Sequence, residues 1–97
     1  MPPVILEARD VIGNGRYLQE VRISTFLPSP ELPEGIRYSL CLVDLKRGEV
    51  VLLYDIHRGK SHHRHLRDTQ TAYRFVGEDT LLDDFFRDVA LILEGRL

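Results

Sequence analysis

Hydrophobic and polar residues alternate over much of the first half of the chain, and the spacing becomes helical near the C-terminus. Between Arg16 and Leu27 one parity holds Tyr17, Val21, Ile23 and Leu27, and the other holds Arg16, Glu20, Arg22 and Ser24. This is the period of a half-buried strand. Similar patterns or short apolar runs predict further strands over 4–12, 36–45, 50–54 and 71–76. The first half of the chain therefore predicts a set of antiparallel strands joined by short turns.

The last part of the chain predicts a helix. The apolar residues that recur at helical spacing are Leu81, Leu82, Phe85, Phe86, Val89, Ile92 and Leu93. Glu78 and Asp79 would lie in the first turn, where the helix dipole favours negative charge, and Gly95 suits a C-terminal cap. We therefore predict an α+β fold with an antiparallel sheet of four to five strands, covered by one α-helix from about Glu78 to Glu94.

The size and composition of the chain indicate one domain over residues 1–97. Ninety-seven residues with 43% hydrophobic content can form one modest core but not two. The single cysteine, Cys41, lies in an apolar run and is expected to be a buried thiol, in keeping with a reducing compartment. Neither a secretion signal nor a membrane-spanning stretch is recognisable, so we expect a cytoplasmic protein without a membrane partner.

The charge distribution changes this picture of an ordinary small domain. The net charge is −2, but residues 57–67, with the sequence HRGKSHHRHLR, carry +4 and all four histidines. The rest of the chain therefore carries −6. A local basic patch on an acidic body predicts a site for an anion rather than a uniformly cationic nucleic-acid coat.

If residues 62–66 are extended, His63 and His65 point to one face and His62 and Arg64 to the other. Two imidazoles can then converge on one ligand, and histidine exchanges protons near neutral pH. A first interpretation makes His63 and His65 the acid and base that act on a phosphodiester. Arg58, Lys60 and Arg64 would bind the phosphate without a metal ion, and RNA supplies an internal nucleophile in its 2′-hydroxyl. Tyr54 is a candidate for stacking on a base.

Two other interpretations of the same segment stay open. In one of them, His63 and His65 bind a divalent metal together with His57 or His62 and with Asp55 or Asp68. The four nearby cations and the absence of zinc-site spacings count against it. In the other, the segment is a solvated, non-catalytic loop that contacts nucleic acid or an acidic partner.

The chain contains no phosphate-binding glycine loop, serine nucleophile elbow or dinucleotide fingerprint, and we predict no cofactor. A homo-oligomer is compatible with this sequence.

The order of motifs resembles a known family of small prokaryotic toxins, the TumE-like family. The residues that carry the resemblance are Tyr54-Asp55, Arg58-Gly59-Lys60, His63-Arg64-His65, Tyr73-Arg74-Phe75-Val76, Leu81-Leu82, Asp84-Phe85 and Asp88-Val89. The chain departs from the family pattern at Ile56, His57, Ser61 and His62, which stand where asparagine, glutamate, glycine and aspartate are expected. The site residues that match the pattern are Asp55, Arg58, Lys60, His63, Arg64 and His65, and the resemblance adds Asp55 to the candidate binding residues.

This resemblance implies the toxin of a toxin–antitoxin pair, whose partner is typically a helix-turn-helix antitoxin. Action on RNA as a ribonuclease follows instead from the chemistry of the histidines and cations, and from analogy with other small toxins.

Overall fold

The computed structural model describes residues 4–56 and 61–97 of the chain. Their elements are β1 (Val4–Ile12), β2 (Tyr17–Thr25), β3 (Ile36–Asp44), β4 (Glu49–Ile56), β5 (His62–Leu66), β6 (Thr69–Ala72) and α1 (Glu78–Leu93). The strands form one antiparallel sheet in the order β1-β2-β3-β4-β5-β6. Each strand thus pairs with its neighbours in sequence, as short connections favour.

The tight turn between β1 and β2 explains how two nine-residue strands come to lie side by side. Gly13, Asn14 and Gly15 all have positive φ angles, of 63°, 57° and 87°. Glycine adopts this region without steric cost, and asparagine tolerates it better than most residues. Gly13-Asn14-Gly15 therefore forms the turn that brings β1 beside β2.

The predicted α+β class with one C-terminal helix is confirmed, but the prediction of four to five strands was wrong because the sheet has six. The closing strand is Thr69–Ala72, all of whose residues are exposed, rather than the apolar stretch 71–76. Arg67, with a φ angle of +51°, lies in the tight turn that returns the chain beside β5. Tyr73 and Phe75 alternate like strand residues because they pack against the core from the segment that follows β6.

Helix α1 packs across one face of the sheet and forms the core with it. Leu81 and Phe85 are fully buried against side chains such as Leu40, Leu52 and Tyr54, and each such burial stabilises the fold by about 1.5 to 3 kcal/mol. Beyond the helix, the Gly95 N–H donates to the carbonyl oxygen of Ile92. The helix has the predicted start and ends one residue earlier than predicted.

The opposite face of the sheet, which we call the open face, is not covered by the helix. Because side chains alternate along a strand, the residues that lie between the core residues of β2 to β5 point to this open face. The register aligns one row of side chains across it, from β1 to β5: Glu7, Arg22, Ser39, Asp55 and His63. Beside it runs a second row: Arg9, Glu20, Cys41, Leu53 and His65.

Candidate functional site

Strand β5 carries the candidate histidines and divides them between the two faces of the sheet. His63 lies opposite Asp55 of β4, and His65 lies opposite Leu53. His62 and Arg64 point to the helix side, where both contact core residues. The sequence-based expectation that His63 and His65 share one face is confirmed, because residues 62–66 do form a strand.

The two open-face imidazoles form a compact group with Asp55. Their ring centroids are 6.3 Å apart, and the planes are inclined by 55°. His65 Nε2 lies 3.7 Å from Asp55 Oδ1, which is longer than a hydrogen bond but within the distance of an ion pair when the ring is protonated. Asp55 is 9% exposed, while the two histidines are half-buried. We call Asp55, His63 and His65 the histidine–aspartate group.

A carboxylate next to a pair of histidines has a definite chemical consequence. The Asp55 carboxylate, 3.7 Å from His65 Nε2, can hold the His65 ring in one orientation. Two imidazoles on one surface can accept one proton and donate another. The histidine–aspartate group therefore has the parts needed for paired acid–base chemistry.

Two of the predicted phosphate-binding residues, Arg58 and Lys60, lie outside the described residues, as does His57. They belong to the segment 57–60, which connects the end of β4 to the start of β5. Asp55 and His63, which face each other across these two strands, lie close to the ends of that segment in sequence.

The other predicted binding residues, Arg64 and Tyr54, lie on the helix side of the sheet. Arg64 Nε donates to Asp88 Oδ2 at 2.8 Å and to the Tyr54 hydroxyl oxygen at 3.1 Å. The Tyr54 hydroxyl in turn donates to Asp88 Oδ2. Burial, together with the Asp88 carboxylate, raises the pKa of Tyr54, so its hydroxyl stays protonated and remains a donor. Arg64 and Tyr54 thus contact each other and the helix, not the histidine–aspartate group.

His62 also belongs to a polar cluster on the helix side, in which His62 and Tyr38 are buried and Glu34 is exposed. Its Nε2 lies 2.7 Å from Glu34 Oε2, and its Nδ1 lies 2.7 Å from the Tyr38 hydroxyl oxygen. Because a carboxylate only accepts hydrogen bonds, Nε2 carries a proton, and in the neutral ring Nδ1 accepts from Tyr38. The ring also stacks on Phe75, with centroids 4.8 Å apart. His62 therefore ties β5 to β3 and to the loop before it.

The partners of Arg64 and His62 were not identified from the sequence. Asp88 is a charged residue of the helix, yet it is 4% exposed and bound to Arg64. Glu34 lies in a loop 28 positions before His62. The available sequence signal was weak: Asp88 falls between Phe85 and Ile92 on the apolar stripe, where a carboxylate requires a buried partner.

The remaining open-face charges alternate in sign rather than forming a cationic track. Arg22 Nε lies 3.2 Å from Glu7 Oε1, and both side chains are largely exposed. Arg37 of β3 is also exposed. Arg22 and Arg37 extend the polar surface away from the histidine–aspartate group.

The described residues contain neither a cluster of metal ligands nor a membrane-spanning helix. Across residues 4–56 and 61–97, no group of three or more histidine, cysteine, aspartate and glutamate side chains is arranged to hold a metal ion. In the same part of the chain, no helix has both the length and the apolar character needed to cross a bilayer.

Comparison with known proteins identifies a family. No curated protein and no solved structure is similar enough to the chain to be reported as a match. The model of a protein family described as Toxin TumE matches residues 3–93, which is nearly the whole chain and includes every residue of the histidine–aspartate group. This match confirms the resemblance found in the sequence. The chain belongs to the TumE toxin family, which makes it the toxin component of a toxin–antitoxin system and implies an antitoxin partner.

Proposed function

We propose that this toxin acts on RNA and cleaves its phosphodiester bonds without a metal ion. The observation that carries the proposal is the histidine–aspartate group, in which two imidazoles share one face and a carboxylate lies 3.7 Å from one of them. We further propose that the protein acts in the cytoplasm and that a helix-turn-helix antitoxin controls it.

The proposed reaction needs two proton transfers on opposite sides of the phosphorus. One imidazole removes the proton of the 2′-hydroxyl, whose oxygen attacks the adjacent phosphorus. The other imidazole protonates the 5′-oxygen as its bond to phosphorus breaks, which leaves a 2′,3′-cyclic phosphate and a free 5′-hydroxyl. The protein takes up one proton and releases one, so the step is balanced.

Asp55 has a supporting role beside the two histidines. Its Oδ1 lies 3.7 Å from His65 Nε2, so the carboxylate can fix the orientation of that ring. We propose His63 and His65 as the general acid and base, in either order. Asp55 is a positioning residue in this scheme, because it acts through His65.

Phosphate binding is assigned to Arg58 and Lys60, which follow Asp55 closely in sequence. Cations in this segment would stabilise the negative charge that develops on the phosphorus oxygens. Arg64 and Tyr54 are given a structural role instead, since both contact Asp88 on the helix side.

The decisive experiment is induced expression of the wild type and of the double variant His63→Ala/His65→Ala in a bacterial host, following growth and the integrity of total RNA together. We expect growth arrest with RNA fragmentation for the wild type, and loss of both for a soluble, folded double variant. His62→Gln is the matched control, because it removes an imidazole from the same strand but from the helix side. Killing by the folded double variant would contradict the assignment of the two histidines.

Purified protein separates the reaction types. Cleavage should persist in a chelator, and the fragments should end in a 2′,3′-cyclic phosphate. Loss of cleavage in the chelator, restored by a divalent metal, would favour a metal-dependent hydrolase. Binding without cleavage, weakened by charge reversal at Arg58 and Lys60 but not by the histidine variants, would favour a non-catalytic binding module for nucleic acid or an acidic partner.

A further inference from the structure

Strand β1 forms one edge of the sheet and is unusually exposed for its length. It has nine residues and pairs with β2, its only strand partner in the part of the chain that the structure describes. Its open-face side chains include two large apolar ones, Ile5 and Val11, which are 56% and 61% exposed. The edge presents a row of backbone donors and acceptors that are available to another strand.

The strand at the other edge of the sheet has the features that usually protect a natural edge strand from pairing. Strand β6 has four residues, three of which are polar, and a short polar edge resists pairing with another chain. Strand β1 is more than twice as long and combines apolar and charged side chains. These properties favour a partner strand for β1 rather than permanent exposure.

The sequence of β1 is complementary to itself when it is read in the opposite direction. If two copies run antiparallel with Ala8 facing Ala8, each Glu7 lies opposite Arg9 of the other copy, and each Ile5 lies opposite Val11. All four open-face positions 5, 7, 9 and 11 then form two apolar pairs and two ion pairs. We propose that β1 is a homodimerisation strand that joins the sheets of two copies of this chain edge to edge, centred on Ala8.

The neighbouring strand strengthens the charge pattern. Arg22 lies opposite Glu7, and Glu20 lies opposite Arg9, within each chain. Across the joined sheets, the side chains would follow the order Arg22, Glu7, Arg9 and Glu20, the last two from the second copy. Positive and negative charges alternate along this row. The two inner charges, Glu7 and Arg9, therefore each lie between two opposite charges.

The charges also select this register over its nearest alternatives on the same face. A pairing centred on Glu7 would oppose the two glutamates and put Ile5 against Arg9. A pairing centred on Arg9 would oppose the two arginines and put Glu7 against Val11. Like charges placed directly opposite are destabilising, whereas the pairing centred on Ala8 has none. On the helix side, Leu6 would face Asp10, so the specificity of the pairing comes from the open face.

The joined sheet would contain twelve strands, with the two open faces continuous across the dyad. Each histidine–aspartate group lies on β4 and β5, three and four strands away from β1, and is therefore remote from the proposed interface. The proposal is therefore independent of the reaction assigned to that group.

Two charge-reversal variants of the full chain test the pairing. Arg9→Glu gives a β1 with acids at positions 7 and 9, and Glu7→Arg gives one with arginines at both. Each variant alone should self-associate roughly tenfold or more weakly than the wild type, because both ion pairs become like-charge pairs. An equimolar mixture should restore dimers, since acidic and basic strands then face each other. Sedimentation equilibrium measures the association, and native mass spectrometry identifies the mixed dimer.

Circular dichroism of each variant controls for folding. A wild type that remains monomeric at micromolar concentrations would overturn the proposal. This holds even if a strand of the antitoxin proved to cover β1 instead. Folded variants that dimerise as tightly as the wild type would overturn it as well, because the dimer would then use another surface. Dimers that weaken in both variants without recovery in the mixture would exclude the Glu7–Arg9 pairing.

Discussion

Replacement of Arg64 by methionine tests which face of β5 does the chemistry. The guanidinium donates to Asp88 Oδ2 and to the Tyr54 hydroxyl oxygen. Methionine keeps much of the side-chain volume but removes both donors and the charge. If Arg64 is structural, Arg64→Met destabilises the protein, and toxicity falls only as far as the folded population does.

The expected loss of stability depends on the surroundings of Asp88 once the Arg64 guanidinium is removed. Asp88 is 4% exposed and would keep the Tyr54 hydroxyl as its donor, with Arg87 more distant at 3.9 Å. Removing one partner of a fully buried ion pair costs about 3 to 5 kcal/mol. Because the Arg64 side chain is 24% exposed, part of its charge is already solvated. We therefore expect a loss of about 2 to 3 kcal/mol in the free energy of unfolding, or a fall in Tm of roughly 10 to 20 °C.

Urea denaturation followed by circular dichroism measures the loss directly, and the double variant Arg64→Met/Asp88→Leu is the matched control. With both charged partners replaced by apolar side chains, no buried carboxylate lacks its cation. We expect only part of the loss to be recovered, because the buried Tyr54 hydroxyl then loses both Asp88 and Arg64. A stable Arg64→Met variant without toxicity would refute the structural assignment. It would return Arg64 to the phosphate-binding role first inferred from the basic segment.

Two further predictions concern the stability of the sheet. Bidentate hydrogen bonds from Arg16 lower the pKa of Asp44 to about 2, below about 4 for an unfolded chain. The stabilisation by Asp44 is therefore complete above the pKa of the unfolded chain, and it is lost as the pH falls through the pKa of the folded protein. Asp44→Asn should make the urea midpoint less sensitive to pH between about 4 and 2. An unchanged pH dependence of the midpoint would contradict this prediction. Gly35 has a φ angle of +67°, and an added Cβ would lie 2.5 Å from the Phe26 carbonyl oxygen. Gly35→Ala should therefore reduce the free energy of unfolding by about 2 kcal/mol or more. A thermal denaturation midpoint equal to that of the wild type would show that the loop adjusts freely.

The sequence was most informative where the signal is local. Periodicity predicted β2 and α1, because a half-buried strand and an amphipathic helix each leave a regular apolar pattern. The same rule predicted that His63 and His65 share a face. Periodicity underestimated the number of strands in the sheet, since the exposed strand Thr69–Ala72 has no apolar pattern and owes its pairing to the turn beside it.

Long-range partners were harder to predict for a physical reason. Arg64 and Asp88 are 24 positions apart, and His62 and Glu34 are 28 apart, so no local spacing links them. A basic residue in a histidine-rich run is equally compatible with a phosphate ligand and with a buried ion pair. Only the face that the helix covers distinguishes the two, and that choice depends on the whole fold.

The two faces of β5 are connected through its backbone. On the helix side, Arg64 is held by Asp88 and His62 by Glu34, so the strand is attached both to α1 and to the loop before β3. His63 lies between these two anchored residues, and His65 directly follows Arg64. Side chains of a strand whose reverse face is fixed lose much of their freedom to tilt, which is what paired acid–base groups need in order to keep their spacing. The alternation of a single five-residue strand thus lets one set of side chains stabilise the fold while the other set is presented to a ligand.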